Sequence, residues 1–418
     1  MGVVRNGVPW FDQYHKPVNA KAGCLVQAND HYYLFGEYKT NDENKFIGFS
    51  RYVSTDLEHW QYTGLALGPQ SSGLLGPNRI GERVKVLAAP AGGYVMLMHT
   101  DDLGYTDPHV GLATSPTIDG TFEFQGPLLF NGEPIHMWDL GTFVDDDGTA
   151  YLLTHEGNIY QLAPDYRSVV ALIVRDIAPR EESPAMFRQG NRYFLLTSHK
   201  TSWERNDNVY YTAVSLAGPW EKQGVFCPAG TLTYNSQCSF VFMLPTEYGT
   251  VPMYLGDRWS FPKQADAATQ VWLPITVSGD TITIPEYWEE WETSTVKPVT
   301  SSAAATPVAF ASATPAEELT IPFTGRRLAL GGITNRHSGY ARVVLTNERD
   351  QPIQDSYVDF YNKVPSTGLR YMAPELVAGC YTLHIIVAGT HGVWQDKAGH
   401  IFGSDGDLVQ VTGYQIDA

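Results

Sequence analysis

Cysteine is scarce in this sequence of 418 residues, which contains only four. They are widely separated and form no Cys-x-x-Cys or Cys/His cluster, so neither a disulfide framework nor a zinc site is indicated. We expect all four to be buried free thiols, as in a reducing compartment. The four are Cys24, Cys227, Cys238 and Cys380.

Charged residues are also few, at 17%, and lysines and arginines form no run. The 28 basic residues against 45 acidic ones leave a net charge of −17, which repels phosphate backbones and anionic lipids. The charge therefore excludes nucleic acids and membranes as partners.

Long hydrophobic runs are missing, and no window approaches the ~20 apolar residues of a membrane-spanning helix. The first ten residues lack the basic and apolar regions of a signal peptide, which predicts a cytoplasmic protein, although a secreted chain trimmed of its leader would look the same. The sequence has no phosphate loop, nicotinamide fingerprint or metal motif, so we expect no cofactor and no metal site.

Aromatic residues, in contrast, are abundant, with 10 Trp, 24 Tyr and 18 Phe in a chain that is 43% hydrophobic. This composition is typical of a packed globular protein and excludes a disordered chain, a collagen or a coiled coil.

A repeat dominates the first part of the chain. A polar turn followed by an aromatic-aliphatic strand recurs at intervals of roughly 45 to 65 residues. Helical periodicity is nearly absent. The five copies lie at 29–34, 92–96, 146–152, 189–195 and 248–254. This all-β pattern predicts a five-bladed β-propeller over residues 1–296. A large β-sandwich is the alternative.

The composition changes after the repeats. Small residues and proline around 299–307 predict a linker over 297–317. Alternating strands then predict a β-sandwich (jelly-roll) domain over 318–418. It could bind sugar or brace the propeller, and we favour bracing because Trp394 is its only tryptophan. We expect His384 and His391 to be ordinary strand or loop residues.

In a propeller, the innermost strand of each blade lines the central channel. The candidate catalytic residues are therefore those in the strand that precedes each turn motif. These residues are Lys21, Glu82, Asp139, Glu182 and Gln237. Any one of these residues, taken alone, is best interpreted as structural. Acidic or amide side chains at the equivalent place in four of the five repeats favour a shared catalytic site instead. Convergent carboxylates in an aromatic channel suit glycoside hydrolysis, in which a crowded carboxylic acid keeps its proton near neutrality.

Several motifs between Asn6 and Trp291 together carry a family resemblance. They are Phe35-Gly36-Glu37, Glu82-Arg83-Val84-Lys85-Val86 with Met98-His99, Asp139 with 143–147, Glu182-Ser183-Pro184, 215–220, Ser236-Gln237, 254–259 and 271–274. With them, the chain resembles glycoside hydrolase family 43, in its exo-β-1,3-galactanase branch. The resemblance implies a five-bladed propeller that hydrolyses with inversion of configuration.

The resemblance also implies roles for individual residues. Glu182 would be the general acid, and Asp139 would orient it and keep its pKa high. The branch lacks the usual aspartate base of the first blade, as this chain does, and Gln237 would hold the attacking water as an amide/imidic-acid relay. Glu82 is the rival base and, as a carboxylate, the chemically easier one if it lies close enough.

Substrate contacts are predicted from carboxylates that bind paired hydroxyls and from aromatic rings that stack on galactose. The candidates are Glu37, Tyr105, Trp203, Asp257, Arg258 and Trp259. The chain departs from the branch at Ala20-Lys21-Ala22, at Val84 and at Lys200, close to the expected sugar pocket, so the reaction type is predicted more firmly than the sugar.

The sequence thus predicts an enzyme that releases galactose from the non-reducing end of β-1,3-galactan, with an oligo- or polysaccharide as its partner. An α-L-arabinofuranosidase or β-galactofuranosidase on the same scaffold is one alternative. A glycan-binding propeller without catalysis is the other.

Overall fold

The computed structural model describes residues 2–299 and 305–417, and nearly all of its regular structure is β-strand. The all-β prediction is therefore confirmed. The helical segments are single turns at Gly73–Leu75, His155–Gly157 and Leu232–Asn235. No helix within the described residues is long and apolar enough to cross a membrane.

Five successive antiparallel sheets follow a short N-terminal strand, β1 (Val3–Arg5). The first sheet contains β2 (Lys21–Ala28), β3 (His31–Glu37), β4 (Phe49–Ser54) and β5 (Gln61–Leu67). The second contains β6 (Arg79–Ala88), β7 (Tyr94–Asp102), β8 (His109–Ser115) and β9 (Glu123–Pro127). The third contains β10 (Leu129–Phe130), β11 (Glu133–Pro134), β12 (Leu140–Val144), β13 (Ala150–Thr154), β14 (Asn158–Leu162) and β15 (Val169–Val174), with one parallel pairing, between β10 and β15.

The remaining two sheets continue the series. The fourth contains β16 (Glu181–Gln189), β17 (Arg192–His199), β18 (Val209–Ala213) and β19 (Glu221–Val225). The fifth contains β20 (Gln237–Thr246), β21 (Gly249–Arg258) and β22 (Thr269–Pro274). A hairpin of β23 (Thr276–Ser278) and β24 (Thr281–Thr283) follows, and β25 (Glu290–Glu292) then pairs with both β1 and β26 (Lys297–Pro298).

The predicted turn–strand units form the hairpins that start these sheets. In the first sheet, Asn29 and Asp30 join β2 to β3 with φ values of 50° and 61°. Two positive φ angles are what a two-residue type I′ hairpin needs, and Asn and Asp tolerate them better than most residues. The polar pair in the sequence thus fixes the register in which β3 returns along β2.

Hydrophobic clusters fill the space between neighbouring sheets. The first and second sheets, for example, bury Phe35 against Met96, and the fifth and first bury Trp272 near Leu34. Strands β2, β6, β12, β16 and β20, one from each sheet, contact one another in this order, and β20 also contacts β2. These five strands therefore lie next to one another, although they are far apart in the sequence.

The rest of the chain forms two four-stranded antiparallel sheets around one apolar core. One contains β27 (Thr306–Ser312), β29 (Arg327–Thr334), β32 (Ser366–Met372) and β36 (Val409–Asp417). The other contains β28 (Glu318–Gly325), β30 (Tyr340–Asn347), β31 (Pro352–Asp359) and β33 (Gly379–Val387). A separate hairpin is formed by β34 (Val393–Gln395) and β35 (Ile401–Gly403).

The start of this second unit differs from the expected limits. Strand β27 lies within the predicted linker of 297–317 and pairs with β36, so the second unit includes residues before 318. Residues 300–304 of the predicted linker lie outside the described residues.

All four cysteines are free thiols, but only three of them are buried. Cys24, Cys227 and Cys238 lie in the cores between sheets, whereas Cys380 is exposed on β33. The expectation of buried thiols is thus wrong for Cys380, because its side chain lies on the solvent side of an alternating strand.

Candidate active site

The five residues singled out by the repeat occupy equivalent positions in the five sheets. Four of them begin, or nearly begin, the first strand and pair across the hairpin with the end of the second strand. These pairs are Lys21 with Glu37, Glu82 with His99, Glu182 with Ser198 and Gln237 with Asp257. Asp139 directly precedes β12, and its carbonyl oxygen accepts a hydrogen bond from the N–H of His155 at 3.0 Å.

A β-bulge follows these positions and directs side chains toward the centre. The register shifts after Lys21, Glu82 and Glu182, and the next residue in each case has a positive φ. An extra residue in a bulge bends the strand and changes where its side chains point. Arg83 and Ser183, the residues in two of these bulges, have φ values of 54° and 59° and both reach the catalytic candidates.

Arg83 connects the predicted catalytic residues. Its Nε donates to Oδ1 of Asp139 at 2.9 Å, and its Nη2 donates to Oε1 of Gln237 at 2.8 Å. Its Nη1 donates to Oγ of Ser183 at 2.6 Å. Arg83 is 7% exposed, so its charge is compensated inside the protein, mainly by Asp139. The sequence contained Arg83 within a resemblance motif, but we did not single it out as a site residue.

Glu182 has the electrostatics of a general acid. Burial, and next the nearby charge of Asp139, raise the pKa of Glu182 to about 8, against the opposing effects of Arg83, Gln237 and Lys200. The Nε2 of Gln237 donates to Oε1 of Glu182 at 3.0 Å. A carboxyl group with this pKa still carries its proton at neutral pH.

Both carboxylate oxygens of Asp139 are hydrogen-bonded within the site. Its Oδ1 accepts the hydrogen bond of Arg83, and its Oδ2 accepts one from the backbone N–H of Ser183 at 2.9 Å. Since Ser183 directly follows Glu182, this bond ties Asp139 to the backbone that carries the acid.

The side-chain amide of Gln237 is fully hydrogen-bonded. Its Nε2 donates to Glu182 and to Oγ of Ser198 at 2.8 Å. Its Oε1 accepts from Arg83 and from Nε1 of Trp259, each at 2.8 Å. These four bonds fix which end of the amide faces the acid.

Glu82 lies in a separate polar cluster at the same centre. Its Oε1 accepts hydrogen bonds from Nδ2 of Asn44 at 2.8 Å and from the Tyr105 hydroxyl at 2.9 Å, and Nζ of Lys39 lies 3.7 Å away. Its Oε2 lies 3.4 Å from Nδ1 of His99. Burial alone would raise the pKa of Glu82, but the charges of Lys39 and His99 outweigh burial and hold it below its ordinary value.

His99 is the cationic partner within this cluster. Burial lowers its pKa, but the hydrogen bond to Asp101 and the nearby carboxylate of Glu82 outweigh burial and raise the pKa of His99 to about 9. At neutral pH the cluster therefore pairs a charged imidazolium with a charged carboxylate. Among the described residues, no group of three or more His, Cys, Asp or Glu side chains could hold a metal ion.

One cavity of about 530 Å³ brings these groups together. Its lining includes four of the predicted catalytic residues and three of the predicted sugar contacts. They are Glu82, Asp139, Glu182 and Gln237, with Tyr105, Trp203 and Trp259. Trp138, Lys200 and Ser202 also line it, as do residues 395–398 of the second unit. A cavity of this size accommodates a small saccharide.

The other predicted residues lie outside this lining. Glu37 is 2% exposed, accepts the backbone N–H of Arg83 at 2.8 Å and pairs with Nζ of Lys39 at 3.0 Å. Asp257 is 1% exposed, and the charges of Arg83 and Lys21 act on its buried carboxylate. Lys21 donates to the carbonyl of Val18 at 2.9 Å, and burial lowers its pKa to about 8.

Arg258 supports the backbone that leads to Gln237. Residues 232–235 form one left-handed helical turn with φ values of 51° to 59°, a conformation that costs energy for side chains with a Cβ. The guanidinium of Arg258 donates to the carbonyls of Tyr234 at 3.0 Å and Asn235 at 3.2 Å. Arg258 thus holds the turn that places Gln237, two residues later, at the start of β20.

Comparison with known proteins agrees with this arrangement. The sequence profile of glycosyl hydrolases family 43 matches residues 21–226. A predicted exo-beta-1,3-galactanase of Bifidobacterium bifidum s17 is 32% identical over 67% of this chain and 95% of its own, with a TM-score of 0.62. No curated protein matches the sequence.

Two more distant structures share the fold across both units. The exo-beta-1,3-galactanase of Phanerochaete chrysosporium, solved with galactose, is 24% identical over 98% of this chain and 100% of its own, with a TM-score of 0.71. The exo-beta-1,3-galactanase of Clostridium thermocellum is 22% identical over 100% of this chain and 97% of its own, with a TM-score of 0.65. The identity to the Bifidobacterium protein, the family profile and the acid-bearing cavity lead to one conclusion: the chain belongs to glycosyl hydrolases family 43 and is a glycoside hydrolase.

Proposed function

We propose that the protein is an inverting exo-glycosidase that releases galactose from the non-reducing end of β-1,3-galactan. The observation that carries this proposal is the position of Glu182, which is hydrogen-bonded to Gln237 in the lining of a cavity of sugar size, where burial and Asp139 raise its pKa to about 8. The named activity of the Bifidobacterium relative, which is 32% identical, supports galactan over arabinofuranosides or galactofuranosides. A binding protein without catalysis would have no need for a carboxyl group with a pKa of about 8.

In the first chemical event, Glu182 protonates the oxygen of the leaving sugar as the glycosidic bond breaks. Asp139 keeps Glu182 protonated until this step by its negative charge. Both oxygens of Asp139 accept hydrogen bonds, from Arg83 and from the backbone N–H of Ser183, so we assign it to orienting Glu182. We propose direct attack by water, and so inversion, because Gln237 offers the water a proton path to Glu182.

For the water, the contact between Gln237 and Glu182 provides a complete proton path. The water gives its proton to Oε1 of Gln237 as its oxygen attacks the sugar, and Nε2 passes a proton to the carboxylate that Glu182 has become. The 3.0 Å hydrogen bond from Nε2 to Oε1 of Glu182 supports this path, which regenerates the acid and leaves Gln237 as its imidic-acid tautomer. A water that takes the proton from the oxygen and returns one to the nitrogen restores the amide before the next turnover. The relay requires the water to displace one of the two donors, Arg83 or Trp259, that now occupy Oε1 of Gln237.

Glu82 is the less suitable base in this proposal. Its pKa is held below the ordinary value, which weakens its attraction for a proton, and Asn44 and Tyr105 already bond its Oε1. A charged carboxylate with fixed neighbours is well suited to accept hydrogen bonds from sugar hydroxyls instead. We therefore assign Glu82 and Tyr105 to binding the terminal galactose.

The two tryptophans of the cavity, Trp203 and Trp259, have different roles in this proposal. Trp203 is half-buried, and its ring packs against Trp259 at 5.1 Å and stacks on Phe261 at 5.6 Å, which leaves it available to a sugar ring in the cavity. Trp259 is 2% exposed and donates to Gln237, so we assign it to positioning the amide. In this proposal Glu37, Asp257 and Arg258 support the site without touching substrate.

We also infer that the first unit is a five-bladed β-propeller and the second a jelly-roll sandwich. The contacts of β20 with β2, together with the apolar clusters between successive sheets, support a closed ring of five sheets. Small-angle scattering of the intact protein tests this arrangement. A closed ring of five sheets gives a scattering profile different from that of an open row of the same sheets.

The test of function compares three substrates: β-1,3-galactobiose, β-1,3-galactan and an aryl α-L-arabinofuranoside. We expect galactose from the first two and little hydrolysis of the third. Proton NMR of the first minutes of reaction is expected to show α-galactose from the β-linked substrate. Release of arabinose in preference to galactose, or β-galactose as the first product, would overturn the proposal.

A further inference from the structure

We propose that the hairpin of β34 and β35 in the second unit forms one wall of the substrate-binding cavity and binds the galactan chain next to the terminal galactose. The inference rests on the proposed function and names the part of the substrate that the second unit recognises. It replaces bracing, the role favoured by the sequence, with direct participation in substrate binding.

The tip of the hairpin reaches the catalytic cavity. Residues 395–398 line the same cavity as Glu182 and Gln237, although they are separated from Gln237 by more than a third of the chain. Nζ of Lys397 donates to the backbone carbonyl of Tyr105 at 2.8 Å and lies 5.5 Å from the centre of the Tyr105 ring. The hairpin thus approaches the residue that holds Glu82.

The base of the hairpin is held firmly against the first unit. Trp394 is 7% exposed, and its ring lies against Phe402 and Tyr361 at 6.3 Å and 6.4 Å. The Tyr361 hydroxyl in turn donates to Oε2 of Glu204 in the first unit at 2.6 Å. A wall anchored in this way can position a ligand without a large ordering cost on binding.

The turn itself is internally braced and presents polar groups. Oδ1 of Asp396 accepts the backbone N–H groups of Ala398 and His400, each at 2.9 Å, which closes the turn. Lys397 is exposed, and its ammonium group donates one hydrogen bond, to the backbone carbonyl of Tyr105. An ammonium group has three N–H donors, so the others can bind further acceptors.

The position of the tip fits the chain beyond the terminal sugar. An exo-acting site holds the terminal galactose at its buried end, and the rest of the chain extends toward solvent. Lys397 and Ala398 are exposed lining residues, whereas Glu82, Asp139 and Gln237 are buried, so the tip lies on the solvent side of the lining, where the leaving part of the substrate extends. Lys200 and Trp138 lie in the same lining, with Nζ of Lys200 5.0 Å from the Trp138 ring. Lys200 donates to Oε1 of Glu156 at 2.7 Å, and the Trp138 ring stacks on His155 at 3.5 Å, so both side chains are fixed in place. The remaining N–H donors of the ammonium group are suited to bind the hydroxyls of a galactose unit.

Two variants in the hairpin tip test the inference, measured by calorimetry in a Glu182→Gln background that stops hydrolysis. Lys397→Ala is expected to weaken the binding of β-1,3-galactotriose about fivefold, as the loss of one partly exposed charged hydrogen bond does. Ala398→Trp is expected to weaken galactotriose binding more, because a large side chain at the hairpin tip narrows the cavity. Galactose, which fills only the terminal site, is expected to bind both variants as it binds the parent.

A matched control is Lys363→Ala, which removes an exposed lysine of the same unit outside the cavity lining. Unchanged galactotriose binding in both hairpin variants would overturn the inference. An equal loss for galactose and galactotriose would also overturn it, because it would show that Lys397 acts only by holding Tyr105. Failure of the proposed function would appear separately, as no galactose released from β-1,3-galactobiose by the unmodified enzyme.

Discussion

Gln237 and Glu182 form a direct hydrogen bond, with Nε2 of Gln237 donating to Oε1 of Glu182 at 3.0 Å. The amide assigned to the water and the carboxyl assigned to the leaving group are therefore parts of one hydrogen-bonded unit. Asp139 joins the same unit through Arg83. Substitutions in the unit are consequently expected to alter the chemical step more than substrate binding.

The first prediction concerns pH. Activity requires protonated Glu182, so kcat/KM is expected to fall as the pH rises through about 8. Asp139→Asn removes a negative neighbour and leaves Arg83 uncompensated, and both changes favour the charged form of Glu182. The alkaline limb is therefore expected to move to lower pH in the variant. A limb that stays in place or moves to higher pH would contradict the role of Asp139.

The second prediction separates Gln237 from Glu82. Gln237→Ala is expected to lower kcat about 10²-fold or more with a small change in KM, because the proton relay is lost. Glu82→Gln keeps the shape of the side chain and is expected mainly to raise KM for galactobiose. Steady-state kinetics of both variants provide the measurement. If Glu82→Gln lost kcat and Gln237→Ala did not, Glu82 would be the base.

The third prediction concerns Arg258, which lies outside the cavity lining. Arg258→Ala removes the donors to the carbonyls of Tyr234 and Asn235, so the left-handed turn before Gln237 is expected to relax and kcat to fall roughly tenfold. Arg188→Ala is the matched control, since Arg188 pairs with Asp145 away from the site. Arg258→Lys is expected to recover part of the loss. Equal kcat values for Arg258→Ala and the control would contradict this positioning role.

The fourth prediction concerns the thiols. Burial raises the pKa of Cys24 to about 11 and of Cys238 to about 12, and both lie between sheets. A thiol reagent such as Ellman's reagent is therefore expected to modify one thiol in the native protein, Cys380, and all four after denaturation. Cys380→Ser should abolish the native reaction. Rapid modification of Cys24 or Cys238 in the folded protein would contradict their burial.

The repeat in the sequence marked five equivalent positions, and four of them, Glu82, Asp139, Glu182 and Gln237, line one cavity. Lys21 occupies the equivalent place in the first sheet but lies outside the lining, with its ammonium group on the carbonyl of Val18. The strand content and the change of unit near residue 300 were also visible, because alternation and small residues are local signals.

Other parts of the site depend on contacts that the sequence does not show. The sequence does not mark Arg83 as a site residue, because a bulge that redirects the side chain after Glu82 has no clear sequence signature. Asp257 and Arg258 adjoin the cavity-lining Trp259 in the chain but lie outside the lining. The hairpin tip at 395–398 reaches the cavity through packing between the units, which no local pattern predicts.

The most direct measurement of the central claim compares the turnover of Glu182→Gln on two substrates with different leaving groups. β-1,3-Galactobiose needs protonation of its leaving oxygen, whereas a dinitrophenyl β-galactoside does not. The account predicts a loss of about 10³-fold on galactobiose and a smaller loss on the aryl galactoside, which needs no proton on its leaving oxygen but still lacks the carboxylate that accepts the proton relayed by Gln237. Wild-type turnover on galactobiose, or equal losses on both substrates, would contradict the assignment of Glu182 as the general acid.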